Sequence, residues 1–210
     1  LRVLDIDETE GPVKAFETLI ISGLVMCLSV DASAGVFGVS QGDPITKYSP
    51  SDIRPIGGGV KVARIVVPTP NRNFDLYTAY YTPTIGICKL IAHGVTLEND
   101  KWGFQVTSEY KKIRDILVSK YGNGDEYDYL NEGALWSEPE EFAASLNKDE
   151  RTLQTFWIKK DGAQLPEDIK AITVYAAALD FSDTYVVAGY EFSNFEKCLA
   201  LIEKSDGSGM

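Results

Sequence analysis

Three runs rich in β-branched and aromatic residues, Val60–Val67, Phe74–Tyr81 and Ile85–Val95, follow one another almost without pause. Only a few residues built around Pro68-Thr69-Pro70-Asn71 and Thr82-Pro83-Thr84 separate them. Joins this short connect antiparallel neighbours and leave no room for the crossover that a parallel pair needs. Strand patterns recur at Leu153–Ile158, Ala171–Leu179 and Tyr185–Phe192, the last two turning around Ser182-Asp183. In the run from Phe74, alternation puts Phe74, Leu76, Thr78 and Tyr80 on one face and Asp75, Tyr77, Ala79 and Tyr81 on the other.

The clearest helix lies between the two sets of strands. Val106, Tyr110, Ile113, Leu117 and Tyr121 recur at helical spacing over Phe104–Tyr121, a stripe that packs on a sheet, and Gly122 supplies the stop. Pro139–Leu146 reads as a short helix. A closing helix starts at Ser193-Asn194-Phe195-Glu196, a capping-box pattern, with Phe195, Cys198, Leu199 and Ile202 as its inward stripe. The order strands, helix, strands, helix predicts an α+β fold: a largely antiparallel sheet packed by one long helix and a C-terminal helix. Residues 35–210 show no linker and no repeat, so they read as a single domain. Three stretches are less regular. Gly35–Val39 is expected as a short strand, followed by Asp43 capping a helical turn at Ile45–Tyr48 with Pro44 in its first position. Ser49–Gly59, with two prolines and three consecutive glycines, is expected as a mobile loop, and Asn123–Trp136 as an acidic irregular connection.

Residues 1–34 read as a leader and signal peptide. Leu19–Val30 is an apolar run of a length suited to the ~7–15-residue core of a secretory signal and short of the ~18 residues of a membrane span. Ala32-Ser33-Ala34 follows as a small-x-small cleavage pattern, which places processing between Ala34 and Gly35. Asp5, Asp7, Glu8 and Glu10 conflict with the basic start that a signal requires. A start at Val13 removes them, leaves Lys14 in the n-region and makes residues 1–12 an upstream extension. The competing reading, a buried core helix, demands a helix apolar nearly all round. Cys27, preceded by Leu24-Val25-Met26, lacks the small neighbour of a lipidated cysteine and leaves with the signal. The expected location is periplasmic or secreted, with membrane contact only through the signal segment before cleavage. Cys88 and Cys198 are then an even pair in an oxidising compartment and are expected to form a disulfide. They stand 110 positions apart, and a loop of that length is worth on the order of 4–5 kcal/mol in the chain-entropy model.

Phe37-Gly38-Val39-Ser40-Gln41-Gly42-Asp43 and Lys120-Tyr121-Gly122 carry a resemblance. The chain resembles small exported bacterial proteins that open with Phe-Gly-x-x-x-Gly-Asp and carry a helix ending Lys-Tyr-Gly. The resemblance spans most of residues 35–210 and implies a compartment and a fold class, not an activity.

A formal charge of −11 excludes the concentrated basic surface that nucleic-acid binding needs. Several constellations touch on chemistry. Asp5-Ile6-Asp7-Glu8-Thr9 resembles the first motif of haloacid-dehalogenase-type phosphatases, whose first aspartate attacks phosphorus and whose second is the acid/base. The rest of that machinery has no counterpart here. Gly38-Val39-Ser40-Gln41-Gly42 matches the nucleophile-elbow string, and Asp75 and His93 follow in the order of a triad. Yet Gly42-Asp43-Pro44 interrupts the helix that must start after the serine, and His93 sits within an apolar strand pattern as a structural residue. One histidine and a disulfide leave no zinc set, Asp125, Glu126, Asp128 and Glu132 lack the spacing of a calcium loop, and Gly57-Gly58-Gly59 lacks the residues of a phosphate loop. No catalytic residue, metal or cofactor is expected. The favoured function is an exported, non-catalytic envelope module that binds a protein or small ligand; the alternative is a small hydrolase, esterase-like through Ser40 and His93 or phosphatase-like through Asp5 and Asp7. The binding residues expected are Tyr127, Tyr129 and Trp136 as apolar anchors, with Asp125 and Asp128 favouring a cationic partner.

Overall fold

Hydrogen-bonded pairing joins eight strands of the computed structural model into one sheet, and the structure describes residues 35–207. The leader, the processing site after Ala34 and the Asp5/Asp7 pair lie outside the described residues. The strands are β1 (Ser51–Gly57), β2 (Val60–Ile65), β3 (Phe74–Thr82), β4 (Gly86–Gly94), β5 (Asp125–Leu130), β6 (Arg151–Ile158), β7 (Ile169–Ala178) and β8 (Thr184–Phe192). Their order across the sheet is β1-β2-β3-β4-β8-β7-β6-β5, and every neighbouring pair is antiparallel. Two four-stranded meanders therefore meet along β4 and β8. The α+β expectation holds.

Helix α1 (Phe104–Tyr121) follows β4 and packs on β7 and β8, while α2 (Phe142–Asn147) packs on β6 and β7. All five residues of the α1 stripe are buried, and they meet Ala92, Leu153, Trp157, Ile172 and Val174 of the sheet in one core. Helix α3 (Phe195–Gly207) packs on the opposite face against β1, β2 and β4, where the Cys88–Cys198 disulfide ties it down. Its inward residues are Phe195, Cys198, Leu201 and Ile202; Leu199 is exposed, one helical position away from its expected place. The expected capping box does not form either. Ser193 Oγ donates to the Glu167 carbonyl at 2.9 Å and Glu196 pairs with Lys170 at 3.1 Å, so both side chains are spent on tertiary contacts.

Entry into α1 is secured by Asp100, which is buried. Its Oδ1 accepts from the Gln105 N–H at 2.8 Å, and its Oδ2 accepts from the Val106 N–H at 2.9 Å and from Thr184 Oγ1 of β8 at 2.8 Å. Two orphan donors of the first turn are thereby satisfied by a residue outside the helix. Gly103, just before the helix, has φ +70° and lies where a Cβ would meet the Phe142 ring at 2.0 Å, so only glycine fits.

Other local expectations change. Ser49–Gly59 is mostly β1 rather than a loop: Gly57 faces Val60 across the two-residue turn Gly58-Gly59, both at positive φ, as a tight hairpin demands. Asn123–Trp136 contains β5, whose alternating tyrosines carry strand geometry despite the acidic composition. Gly35–Val39 is a turn closed by a single bridge between Val36 and Val39, not a strand. Asp43 does not cap the helical turn Ile45–Tyr48. Its Oδ2 instead accepts from the Ser40 N–H, Lys47 Nζ and the Tyr48 hydroxyl. In β3 an irregularity between Phe74 and Leu76 turns Phe74 to the buried side with Tyr77 and Ala79.

Candidate functional site

Alternation decides what the sheet offers to solvent. In β6 and β7, Leu153, Thr155, Trp157, Ile172, Val174 and Ala176 are buried beneath α1 and α2, and the residues between most of them are only partly covered. Among the described residues, α3 packs mainly on β1, β2 and β4 and meets β7 through the Lys170–Glu196 pair, so no described helix lies over the face carried by β5, β6 and the outer part of β7, whereas Val187 of β8 is buried.

Register places a row of side chains across this face: Tyr127 on β5, Gln154 on β6, Tyr175 on β7, Val187 on β8 and His93 on β4. Adjacent strands lie about 4.8 Å apart, so Tyr127 and Tyr175 stand about 10 Å apart with Gln154 between them. Tyr127 meets Phe156 edge to face at 6.0 Å. Tyr129 continues the same face one step along β5, opposite Thr152. Tyr127, Tyr129 and Tyr175 are 45%, 49% and 36% exposed, which is high for rings held on strands.

The sheet also splits here. Pairing of β6 with β7 ends at Gln154 and Tyr175; beyond it Arg151–Leu153 pair only with β5, and Ala176–Ala178 only with β8. The gap is a cleft of about 320 Å³ whose lining includes Thr152, Gln154, Tyr175, Ala177, Tyr185 and Asn147. Asn147 Nδ2 donates to the carbonyls of Ala178 at 3.4 Å and Leu179 at 3.2 Å, so α2 holds the splayed end in place.

Gln154 and Tyr175 at the centre of the row carry no formal charge, while Asp125 stands at its edge on β5 and Asp149 and Arg151 lie on the cleft lining. Burial, with the nearby Tyr185 and Tyr80 hydroxyls adding to it, pushes the Tyr175 hydroxyl above its usual range, and burial does the same for Tyr185. Both remain protonated donors at neutral pH. Burial holds His93 below its usual value, against the opposing pull of Asp75, and its Nε2 lies 3.2 Å from Thr78 Oγ1. Lys89–Glu191 and Lys170–Glu196 pair internally at 3.1 Å each where α3 begins.

The expected binding residues are divided by the fold. Asp125, Tyr127 and Tyr129 share the uncovered face. Asp128 falls on the other side of β5 with Glu126, which takes two hydrogen bonds from Arg114 Nη1 at 2.7 and 2.9 Å. Trp136 stands apart, its ring tilted against Phe181 at 4.9 Å and its backbone N–H donating to Glu150 Oε2 at 2.9 Å. None of Tyr175, Tyr185 and Gln154 is singled out by the sequence, because strand parity alone does not say which face a distant helix leaves uncovered.

Ser40 and His93 are not brought together. The turn holding Ser40 is bonded to Ile87 at the start of β4, through Gly42 N–H to Ile87 O at 2.9 Å and Ile87 N–H to Asp43 O at 3.0 Å. His93 lies six positions further along that strand, roughly 20 Å away at strand rise. No elbow helix follows Ser40. Among the described residues, no group of three or more His, Cys, Asp or Glu side chains is placed to hold a metal ion, and no helix is long and apolar enough to cross a membrane. Comparison with known proteins finds no matching family model, no matching curated protein and no matching solved structure.

Proposed function

We propose that residues 35–210 are a single exported domain that acts as a non-catalytic binding module, and that its ligand is an extended, uncharged glycan held across the uncovered sheet face. The observation that carries the reading is the row Tyr127–Gln154–Tyr175 beside the splayed β6–β7 end, over which none of α1, α2 and α3 lies among the described residues. Ring faces spaced across strands suit the apolar faces of successive sugars. Gln154, Thr152 and the tyrosine hydroxyls supply donors and acceptors for sugar hydroxyls. The centre of the row bears no unpaired charge, and Asp128 is turned away from it, so a cationic partner is less well matched than a neutral one. Export is supported by Ala32-Ser33-Ala34 and by the disulfide, a bond characteristic of oxidising compartments. The separation of Ser40 from His93 removes the esterase-like arrangement.

The test is retention on insoluble polysaccharides (cellulose, chitin and de-peptidated cell-wall glycan) of the product purified from the exported fraction, with its N-terminus read by mass spectrometry. Tyr127→Ala combined with Tyr175→Ala should cut retention on the bound polymer at least about tenfold, a change of about 1.4 kcal/mol, while the far-ultraviolet circular dichroism spectrum shows the variant still folded at the assay temperature. The exported product should begin at Gly35. Retention on none of the polymers, or retention indifferent to the double substitution, overturns the glycan reading. Full-length protein confined to the cytoplasm overturns export.

A further inference from the structure

On the helix-covered side of the sheet, the end of α1 leaves a cleft of about 360 Å³, within the range of small-molecule sites. Its walls are largely apolar: Val36, Phe37, Ile116, Leu117, Pro166 and Ile169. Phe37 is held at φ +53°, a conformation that costs a bulky residue energy. Its ring is fixed by edge-on contacts to Phe74, Tyr77 and Tyr190 at 5.8, 5.1 and 5.7 Å. The wall is rigid and its strain is maintained by the cluster around it.

Two tyrosines on the lining, Tyr121 from α1 and Tyr190 from β8, are each only 7% exposed. Neither hydroxyl makes a hydrogen bond within the described residues, whereas the neighbouring Tyr77 hydroxyl accepts from the Asn71 N–H at 2.9 Å and donates to the Asn71 carbonyl at 3.3 Å. Burial, with the Tyr121 and Tyr77 hydroxyls nearby, raises Tyr190 well above its usual range, so it stays a donor. A buried hydroxyl without a partner costs free energy unless something in the adjoining space accepts its proton. Both residues line this cleft, the adjoining space in which such an acceptor can sit. Lys120, also on the lining, makes no ion pair among the described residues, and its Nζ lies 4.9 Å from the Tyr121 ring centre.

We infer that this cleft binds a small monocarboxylate with an apolar tail: the carboxylate accepts from the Tyr121 and Tyr190 hydroxyls beside the Lys120 ammonium, and the tail lies on the Phe37 wall. Phosphate and a short dicarboxylate have no apolar tail for the Phe37 wall to hold, which selects a monocarboxylate that carries one. This site is independent of the sheet-face reading and lies on the other side of the sheet.

Octanoate is the probe, titrated calorimetrically into the protein that begins at Gly35, with octylamine and succinate as comparators. The expected result is one saturable octanoate site, with no binding of octylamine or succinate. Tyr190→Phe should weaken octanoate about tenfold by removing one donor, and Lys120→Gln should do so by a similar factor, both at an unchanged unfolding temperature. Because Lys120 is exposed, its variant keeps the test open even if the tyrosine variant unfolds. No saturable heat up to millimolar octanoate, equal affinity for octylamine, or Lys120→Gln binding as the parent does overturns the inference.

Discussion

Replacing Asp100 with alanine tests how α1 is anchored. The carboxylate is 3% exposed and serves three donors, the N–H groups of Gln105 and Val106 and the hydroxyl of Thr184, at 2.8 to 2.9 Å. Loss of a helix N-cap alone costs about 0.5–2 kcal/mol. Here Val106 and Thr184 are fully buried, so their donors are left unsatisfied as well, at about 1–3 kcal/mol for each group that water cannot reach. Asp100→Ala should therefore cost about 3–5 kcal/mol, while Asp100→Asn, which keeps one oxygen acceptor, should cost about 1–2 kcal/mol. Adding Thr184→Val to Asp100→Ala removes one orphaned hydroxyl, so the double variant should be more stable than additivity allows by on the order of 1 kcal/mol. Urea unfolding followed by far-ultraviolet circular dichroism measures the parent, Asp100→Ala, Asp100→Asn, Thr184→Val and the double variant, five proteins in all. A 3 kcal/mol loss corresponds to a fall in Tm of about 6–12 °C for a domain of this size. An Asp100→Ala variant within about 0.5 kcal/mol of the parent, or an Asn variant as unstable as the Ala variant, would show that water or a rearranged turn replaces the carboxylate and that the reasoning is wrong.

Two further outcomes are expected. Replacing both Cys88 and Cys198 by serine should lower stability by about 2–5 kcal/mol, because the bond closes a separation of 110 residues and both sulfurs are buried; urea midpoints that coincide for the parent and the double variant would contradict this. His93 is the only histidine, and burial holds its folded value below the usual one. Above about pH 6.5 both folded and unfolded states carry it neutral. As pH falls, the unfolded chain takes up the proton first, so the stability this residue contributes is present above that pH and lost as pH drops through the lowered folded value. The fall in urea midpoint between pH 7.5 and pH 5 should shrink in His93→Gln, and an identical fall in parent and variant would refute the assignment.

Much of the architecture was legible because it rests on local periodicity. The α1 stripe from Val106 to Tyr121 and the short joins after β2 and β3 are encoded within a few residues of themselves. What escaped depends on partners distant in the chain. Pro55 and the triple glycine made Ser49–Gly59 look like a loop, yet edge strands tolerate proline, and two glycines between strand residues make a hairpin. Acidic side chains disguised β5, since a strand with one free edge and two wet faces needs little apolar content. The Asp43, Ser193 and Glu196 side chains fit helix-end patterns but find tertiary partners instead, which no local rule reveals. The candidate face was half legible. Tyr127 and Tyr129 stood out as aromatics in a polar stretch, whereas Tyr175 and Tyr185 became visible only once α3 was seen to stop short of them. Asp128 and Trp136 were separated from that face by strand parity and by the chain's turn after β5.

The two meanders exchange their helices. Helix α1 leaves the first meander and lies on β7 and β8 of the second, while α3 leaves the second and lies on β1, β2 and β4 of the first. The second half keeps only the short α2 of its own, and the first half keeps no helix, so neither has a finished interior by itself. A chain that emerges from its amino end must carry β1 to β4 and α1 past the point of synthesis with no surface to settle on. Those contacts are among the most distant in sequence that the fold contains, and distant contacts form slowly. The last thirteen residues of structure, Phe195 to Gly207, complete the first strands to be made, and Cys198 can meet Cys88 only then.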